Sequence, residues 1–384
     1  MKIGITCYPT FGGSGVVATE LGLELSKRGH EVHFISYSVP MRLKSFSENV
    51  FFHKVEMSSY PLFDFPLYSI ALASKIVEVA KYNGLDIVHA HYAIPHATSA
   101  YLAREIIKEE NLSGKNGCEL KIITTLHGTD ITLVGLEISF LPTMKFSIQK
   151  SDGVTAVSSF LKVKTISQYG ITKDIEVIPN FIDIEKYQRL SNHETDCLRE
   201  RYSKNGEKIL VHTSNFRPLK RVDDCIRIFN EVRKKIPSKL LLIGDGPERS
   251  NCEYLAKDLG IHDDVTFYGN QESFVEILSV ADLFLMPSQS ESFGLSALEA
   301  MACGVPVVSS NAGGLPELNL HGETGYIAEM ADVSKMAEYA IDLLENKRKY
   351  KIFSENARNR AVNLFSTEKI VPLYEQYYEK VLKG

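Results

Sequence analysis

Lys2-Ile3-Gly4-Ile5-Thr6-Cys7-Tyr8-Pro9-Thr10-Phe11-Gly12-Gly13-Ser14-Gly15 opens the chain with a short apolar run that breaks into a glycine-rich loop. From Val16 to Arg28 the apolar residues recur at helical spacing, and Gly29 supplies a stop signal. The order strand, glycine loop, helix is the first half of a βαβ unit. The run is apolar and rich in β-branched residues on both faces. That suits a parallel strand covered by helices on either side.

The same rhythm continues outward. Lys2–Tyr8, Val32–Tyr37, Asp86–Ala90, Lys121–Leu126, Gly153–Val157 and Glu176–Ile178 read as strands, with helical spacing between several of them. A polar stretch covers residues 183–207. Strand-like runs then resume at Lys208–Thr213, Leu240–Ile243, Val265–Tyr268, Leu283–Met286 and Val305–Ser309. Helical segments start near Ser334 and Arg348, and a last one spans Thr367 to Leu382. Alternation of this kind predicts an α/β fold. A chain of 384 residues exceeds one ordinary core. Two Rossmann-like parallel-sheet domains are expected, residues 1–182 and 183–366, joined at Pro179-Asn180-Phe181 and facing across a cleft. The helix over 367–384 is expected to pack back on the first domain. Open α/β sheets bind ligands at the carboxyl ends of their strands, so the loops after strands carry the functional reading.

Composition narrows the classes. Hydrophobic residues make up 44% and charged residues 24%, with a formal net charge of −5 and no basic block. Nucleic acid is therefore not an expected partner. No apolar stretch of about 18 residues occurs, so no membrane insertion is expected. Cysteines stand at 7, 118, 197, 225, 252 and 303 with no C-x-x-C pair, which predicts free thiols in a reducing cytoplasm. A homo-oligomer stays open.

Four loops carry candidate chemistry. Gly12-Gly13-Ser14-Gly15 lets backbone approach a ligand and precedes a helix N-terminus, as an anion site requires; a structural tight turn is the alternative. Gly13-x-Gly15-x-x-Ala18 matches the dinucleotide fingerprint, but strand two ends Ser36-Tyr37-Ser38 without the acidic residue that a nicotinamide site wants. Asn215-Phe216-Arg217-Pro218-Leu219-Lys220-Arg221 puts three cations after a strand, suiting a diphosphate or a solvated surface. Ser290-Glu291-Ser292-Phe293-Gly294-Leu295 opens a helix that carries Glu299. Amides of Phe293, Gly294 and Leu295 suit a phosphate, and the two carboxylates suit hydroxyls on either side of it, unless both are surface glutamates. Leu126-His127-Gly128-Thr129-Asp130 offers a histidine to a reacting sugar, or else a helix cap beside a passive ring. His89-x-His91 with His96 lacks a carboxylate or cysteine to complete a metal site, so no metal is expected.

On these motifs the chain resembles the retaining GT-B glycosyltransferases of family four, along essentially its whole length. Supporting marks are Gly244-Asp245-Gly246-Pro247, Ala300-Met301-Ala302-Cys303-Gly304-Val305-Pro306 and Gly313-Gly314-Leu315-Pro316-Glu317. The longer runs His89-Ala90-His91-Tyr92-Ala93, Thr124–Asp130 and Ser214-Asn215-Phe216-Arg217 resemble the branch that moves N-acetylglucosamine from UDP-N-acetylglucosamine to L-malate, opening bacillithiol biosynthesis. The resemblance implies roles. Gly13 meets the donor diphosphate. Asn215, Arg217 and Lys220 hold phosphates. Glu291 contacts the donor sugar, with Phe293, Gly294 and Leu295 nearby. Glu299 holds the ribose, Asn270 lies near the uracil, and His127 sits at the reacting face. Many relatives carry a Gly-Arg pair where this chain has Asn215. For malate's carboxylates, Ser14, Tyr92, Thr129 and Lys145 are the candidates. No cofactor is implied. Two rival readings remain: the same chemistry with a lipid, inositol or sugar acceptor, and a non-catalytic nucleotide-sugar sensor. A lipid acceptor would want a basic patch, of which Pro40-Met41-Arg42-Leu43-Lys44 is a faint version.

Overall fold

The computed structural model describes residues 1–10, 12–43, 47–57, 67–112, 119–132, 137–271 and 273–384. Phe11 of the glycine-rich loop, Lys44 and Cys118 lie outside the described residues. The chain divides into two compact units, Met1–Asn180 with Ile370–Gly384, and Phe181–Lys369.

The first unit is built on seven strands: β1 (Lys2–Thr6), β2 (Glu31–Ser36), β3 (Val50–Lys54), β4 (Ile87–His91), β5 (Lys121–Leu126), β6 (Gly153–Ala156) and β7 (Glu176–Val177). They pair in the order β3-β2-β1-β4-β5-β6-β7, and every pair is parallel. Its helices are α1 (Gly13–Lys27), α2 (Tyr68–Asn83), α3 (Thr98–Leu112), α4 (Thr129–Thr132), α5 (Leu141–Lys150) and α6 (Ser159–Tyr169). Ile35 and Val88 of the sheet share one buried cluster with Leu72, Ile76 and Ile107 of α2 and α3. Burying each such side chain contributes about 1.5–3 kcal/mol.

α1 begins at Gly13, three residues before the expected Val16. Gly12 takes the extended N-cap position, with φ −69° and ψ 151°. Gly15 falls in the first turn, where a Cβ would lie 2.4 Å from the Tyr8 carbonyl oxygen and 2.8 Å from that of Thr10. The loop after β1 thus folds directly over the helix start, and only glycine leaves room.

The second unit repeats the plan. β8 (Lys208–Thr213), β9 (Ser238–Ile243), β10 (Val265–Gly269), β11 (Leu283–Met286), β12 (Val307–Ser310) and β13 (Gly325–Ala328) pair in parallel in the order β10-β9-β8-β11-β12-β13. α7 (Asn192–Tyr202), α8 (Val222–Arg233), α9 (Arg249–Asp258), α10 (Val275–Val280), α11 (Leu295–Ala302), α12 (Leu315–Leu318), α13 (Val333–Glu345) and α14 (Lys347–Phe365) complete it. Its core joins Leu210, Leu240, Leu242, Leu283 and Leu285 of the sheet to Ile226 and Phe229 of α8 and Leu343 of α13. β12 starts two residues later than its apolar run suggests, because Pro306 has no N–H to donate to a ladder. β3 and β13 are strands that the sequence reading does not name.

A final helix, α15 (Thr367–Lys383), carries the chain back. Its residues from Ile370 onward belong to the first unit. The Tyr377 hydroxyl accepts from the Val154 N–H at 2.8 Å and donates to the Val154 carbonyl at 3.1 Å. Glu375 pairs with His30 at 2.9 Å and Arg28 at 3.3 Å. Tyr378 lies 2.7 Å from His89 Nδ1. The five cysteines among the described residues are free thiols.

Candidate active site

In each sheet the strand order reverses at one point, between β1 and β4 and between β8 and β11. Doubly wound sheets bind ligands in the crevice at such a reversal. The loops that leave these four strands carry most of the expected site residues.

In the second unit the loop after β8 is held by short-range bonds. The Ser214 hydroxyl accepts from the Phe216 N–H at 3.3 Å and lies 2.8 Å from His212 Nε2. Phe216 is buried in a left-handed conformation, φ 41°, which turns the loop back. The loop after β9 runs against it. A Cβ on Gly244 would stand 1.8 Å from the Ser214 carbonyl oxygen, and one on Gly246 would stand 2.1 Å from that of Asn215. Asn215 and Arg217 are exposed and Lys220 is half-buried. Asn270 is exposed as well. It follows Gly269, whose carbonyl accepts from the Gly244 N–H at 2.7 Å.

The Gln289 N–H donates to the Leu219 carbonyl at 2.7 Å, so the loop after β11 is tied to the loop after β8. This tie brings Lys220 Nζ to 2.5 Å from Glu291 Oε1. Of the three cations, Arg221 turns away to Asp224 at 2.5 Å, and among the described residues Arg217 has no ion pair. Glu291 is 8% exposed and Glu299 5%, so neither is a surface glutamate. The Glu299 carboxylate accepts from the Tyr187 hydroxyl at 2.8 Å. Tyr187 is buried in the polar stretch after residue 182, and its sequence gives no signal of this contact.

One expectation needs correction. Of Phe293, Gly294 and Leu295, only Leu295 lies in α11. Gly294 is the N-cap with φ 100°, which no helix accommodates, and its Cβ would meet Leu315 Cδ2 at 2.6 Å. Phe293 is buried against Phe365, ring centroids 5.5 Å apart. Phe293 and Gly294 thus stand just ahead of the first turn, which Leu295 opens.

In the first unit Gly13 is exposed at the start of α1. The Tyr92 hydroxyl donates to Ser14 Oγ at 2.9 Å. Tyr92 itself holds a positive φ of 107°. Such strain in a non-glycine residue clusters at functional sites. Its ring centroid lies 5.5 Å from that of His127. Ser14, Tyr92 and His127 thus come together at the reversal. Asp130 is buried, and its carboxylate accepts from the Gly128 N–H at 3.0 Å and the Ala93 N–H at 3.2 Å. It binds the loop after β5 to the loop after β4, and burial pushes its pKa up to about 6. The His127 Nε2 lies 2.8 Å from His91 Nδ1. Burial, with His96 nearby, holds the His127 pKa down to about 3, so the ring is neutral. Thr129 is half-buried at the first residue of α4.

Lys145 is not brought into this group. It is exposed on α5, with its Nζ 3.7 Å from where a Cβ on Gly170 would stand, at the C-cap of α6. Among the described residues no three His, Cys, Asp or Glu side chains gather as a metal-binding group. Among them, too, no helix is long and apolar enough to cross a membrane.

Two doubly wound parallel sheets, each with chemistry-bearing loops at its reversal, define a GT-B glycosyltransferase. The glycosyltransferase family 4 pattern matches residues 11–186, and that of the group 1 glycosyl transferases matches residues 195–360. The chain belongs to this family of glycosyltransferases. It is 46% identical over 383 residues to the N-acetyl-alpha-D-glucosaminyl L-malate synthase of Bacillus anthracis, covering 100% of this chain and 98% of that protein. Among solved structures, a glycosyltransferase from Rickettsia africae superposes with a TM-score of 0.82 at 22% identity, covering 100% of this chain and 99% of that one. Anabaena HepE, crystallised with UDP and glucose, gives 0.80 at 19% identity, with 99% of each chain covered.

Proposed function

We propose that this protein transfers N-acetylglucosamine from UDP-N-acetylglucosamine to the hydroxyl of L-malate, with retention at the anomeric carbon, as the first step of bacillithiol biosynthesis. The observation that carries the proposal is full-length identity of 46% to a protein of that name. The geometry of the second unit supports the donor half. Lys220, Arg217 and the Asn215 loop form a cationic edge at the sheet reversal, suited to a diphosphate. Glu291 faces the donor sugar, the N–H groups of Phe293, Gly294 and Leu295 the phosphates, and Glu299 the ribose, with Asn270 near the uracil. In the first unit Gly13 meets the diphosphate, while Ser14, Tyr92 and Thr129 meet malate.

In the step itself, malate's hydroxyl oxygen forms the new bond to the anomeric carbon as the bond from that carbon to the phosphate oxygen breaks. UDP leaves with the electron pair, on the face that the hydroxyl attacks. The hydroxyl proton passes to the departing phosphate. Catalysis rests on positioning and on stabilising the developing charge of UDP. Cationic side chains replace a metal at the diphosphate, and no cofactor takes part. Soluble substrates of this kind place the enzyme in the cytoplasm.

The test is UDP release by purified protein with UDP-N-acetylglucosamine, with and without L-malate, in the presence of a chelator. Malate-dependent release that survives the chelator is the expected result. Release that ignores malate but responds to a sugar, inositol or lipid would overturn the acceptor. Loss of release in chelator would overturn the metal-free site, and no release with any UDP-sugar would overturn the activity.

A further inference from the structure

β4 and β5 place four polar side chains on one face of the first sheet. Side chains alternate along a strand, so His89 and His91 point the same way. His91 pairs in register with Thr125, and His127 follows Thr125 by two residues. His89 uses both its ring nitrogens structurally. Nδ1 lies 2.7 Å from the Tyr378 hydroxyl and Nε2 lies 2.6 Å from Thr125 Oγ1. His91, wedged between the rings of His89 and His127 at 4.3 and 5.0 Å, uses only one. Its Nδ1 lies 2.8 Å from His127 Nε2. Its Nε2 is fully buried and has no hydrogen-bond partner among the described residues.

Both rings are neutral, since burial holds each pKa far below neutrality. One proton is therefore shared in the His91–His127 bond, and two arrangements exist. If His127 Nε2 carries that proton, the His91 proton sits on Nε2, and a buried N–H is left without an acceptor. If His91 Nδ1 carries it, what this pair leaves unpartnered among the described residues is a bare lone pair on His91 Nε2. Orphaned buried N–H groups are rarer in folded proteins than under-satisfied acceptors. The second arrangement fixes the remaining proton of His127 on Nδ1.

We propose that His91 is a positioning residue that locks His127 as the Nδ1–H tautomer, so that His127 meets its substrate as a hydrogen-bond donor and not as a base. This rests on the reading above, in which His127 stands at the reacting sugar. It leaves the departing phosphate as the only acceptor for malate's hydroxyl proton. The recognised group is then an oxygen on the sugar or on malate, which accepts from Nδ1–H.

The experiment is a long-range 1H–15N correlation spectrum of full-length protein labelled with 15N-histidine, with His127 assigned by comparison with H127Q. The expected wild-type result is a protonated Nδ1 on His127. H91N keeps a donor N–H at the Nδ1 place and should keep this tautomer. H91D puts an acceptor there and should move the His127 proton to Nε2. H91D should then show a kcat roughly 10- to 100-fold below that of H91N, as loss of an orienting partner does, with similar KM for the nucleotide sugar. A wild-type His127 protonated on Nε2 overturns the proposal, as does equal kcat in H91N and H91D. The wild-type spectrum decides even if H91D does not fold. It also decides if malate is not the acceptor, so failure of the proposed activity is read separately.

Discussion

Lys220 and Glu291 form a nearly buried ion pair at the candidate donor site, and its removal makes a quantitative prediction. The two charged atoms stand 2.5 Å apart, with side-chain exposures of 18% and 9%. At an effective dielectric of about 20 their gross attraction is roughly 7 kcal/mol. Desolvation of both groups offsets most of it. K220M keeps the apolar stem but leaves Glu291 as an uncompensated carboxylate. We expect a loss of about 3 kcal/mol, the lower end of the range for breaking a buried pair, because Lys220 retains some solvent. For a unit the size of Phe181–Lys369 that is a fall in Tm of roughly 6–12 °C. K220M/E291Q removes the stranded charge and should recover at least half of the loss. Calorimetry of wild type, both single variants and the double variant measures the cycle. Titration with UDP should show K220M binding about 10- to 100-fold more weakly, as expected for a lost charged contact. E291Q frees the lysine and should bind UDP at least as tightly as wild type. A double variant whose loss equals the sum of the single losses would refute the coupling, and unchanged UDP affinity in K220M would remove the lysine from the phosphate site.

Three further outcomes follow from particular contacts. G246A drives a Cβ to 2.1 Å from the Asn215 carbonyl oxygen; the donor loop must shift, and steady-state kinetics should show KM for the nucleotide sugar raised about 10-fold or more, since one ångström of misplacement costs heavily. Y187F deletes the hydrogen bond to Glu299; a bond to a carboxylate contributes about 1.5–3 kcal/mol, read as a lower Tm together with weaker UDP binding. Asp130 titrates near pH 6 in the fold, against 3.8 for its ordinary value. A raised acid binds its proton more tightly in the native state, so its contribution is fully present below about pH 4 and is lost as pH rises through 6. D130N should therefore flatten the stability curve of the first unit in urea titrations by about 3 kcal/mol over that window.

β5, β8 and β11 were legible residue for residue, because burial on both faces keeps their runs largely apolar or β-branched. β3 was not, since its Phe51 is exposed and its burial follows no clean alternation. β13 was hidden because Gly322-Glu323-Thr324-Gly325 reads as a turn. Gly325 in fact starts the strand, where a Cβ would meet the Val307 carbonyl oxygen at 2.0 Å. Strand-end loops announced where the candidate residues gather, and glycines announced where backbone runs close. Partnerships stayed illegible. Lys220 and Glu291 are 71 residues apart, Tyr187 and Glu299 112. Such pairs exist only once strand order is fixed, and composition carries no trace of them. Lys145 is the converse case: a cation chosen for its sign, which stands exposed on α5 near the C-cap of α6.

The return of α15 sets an order of assembly. The first unit starts at Met1, yet it takes Ile370–Gly384 as part of itself. During synthesis from the N-terminus, β4 and β6 are made more than 200 residues before the helix that covers them. The face carrying His89 and the backbone of Val154 therefore waits, uncapped, while the entire second unit leaves the ribosome. The second unit is a continuous stretch that ends at Lys369. Phe181–Lys369 is thus complete in the chain before α15 is, whereas the first unit must wait for the last helix to be made.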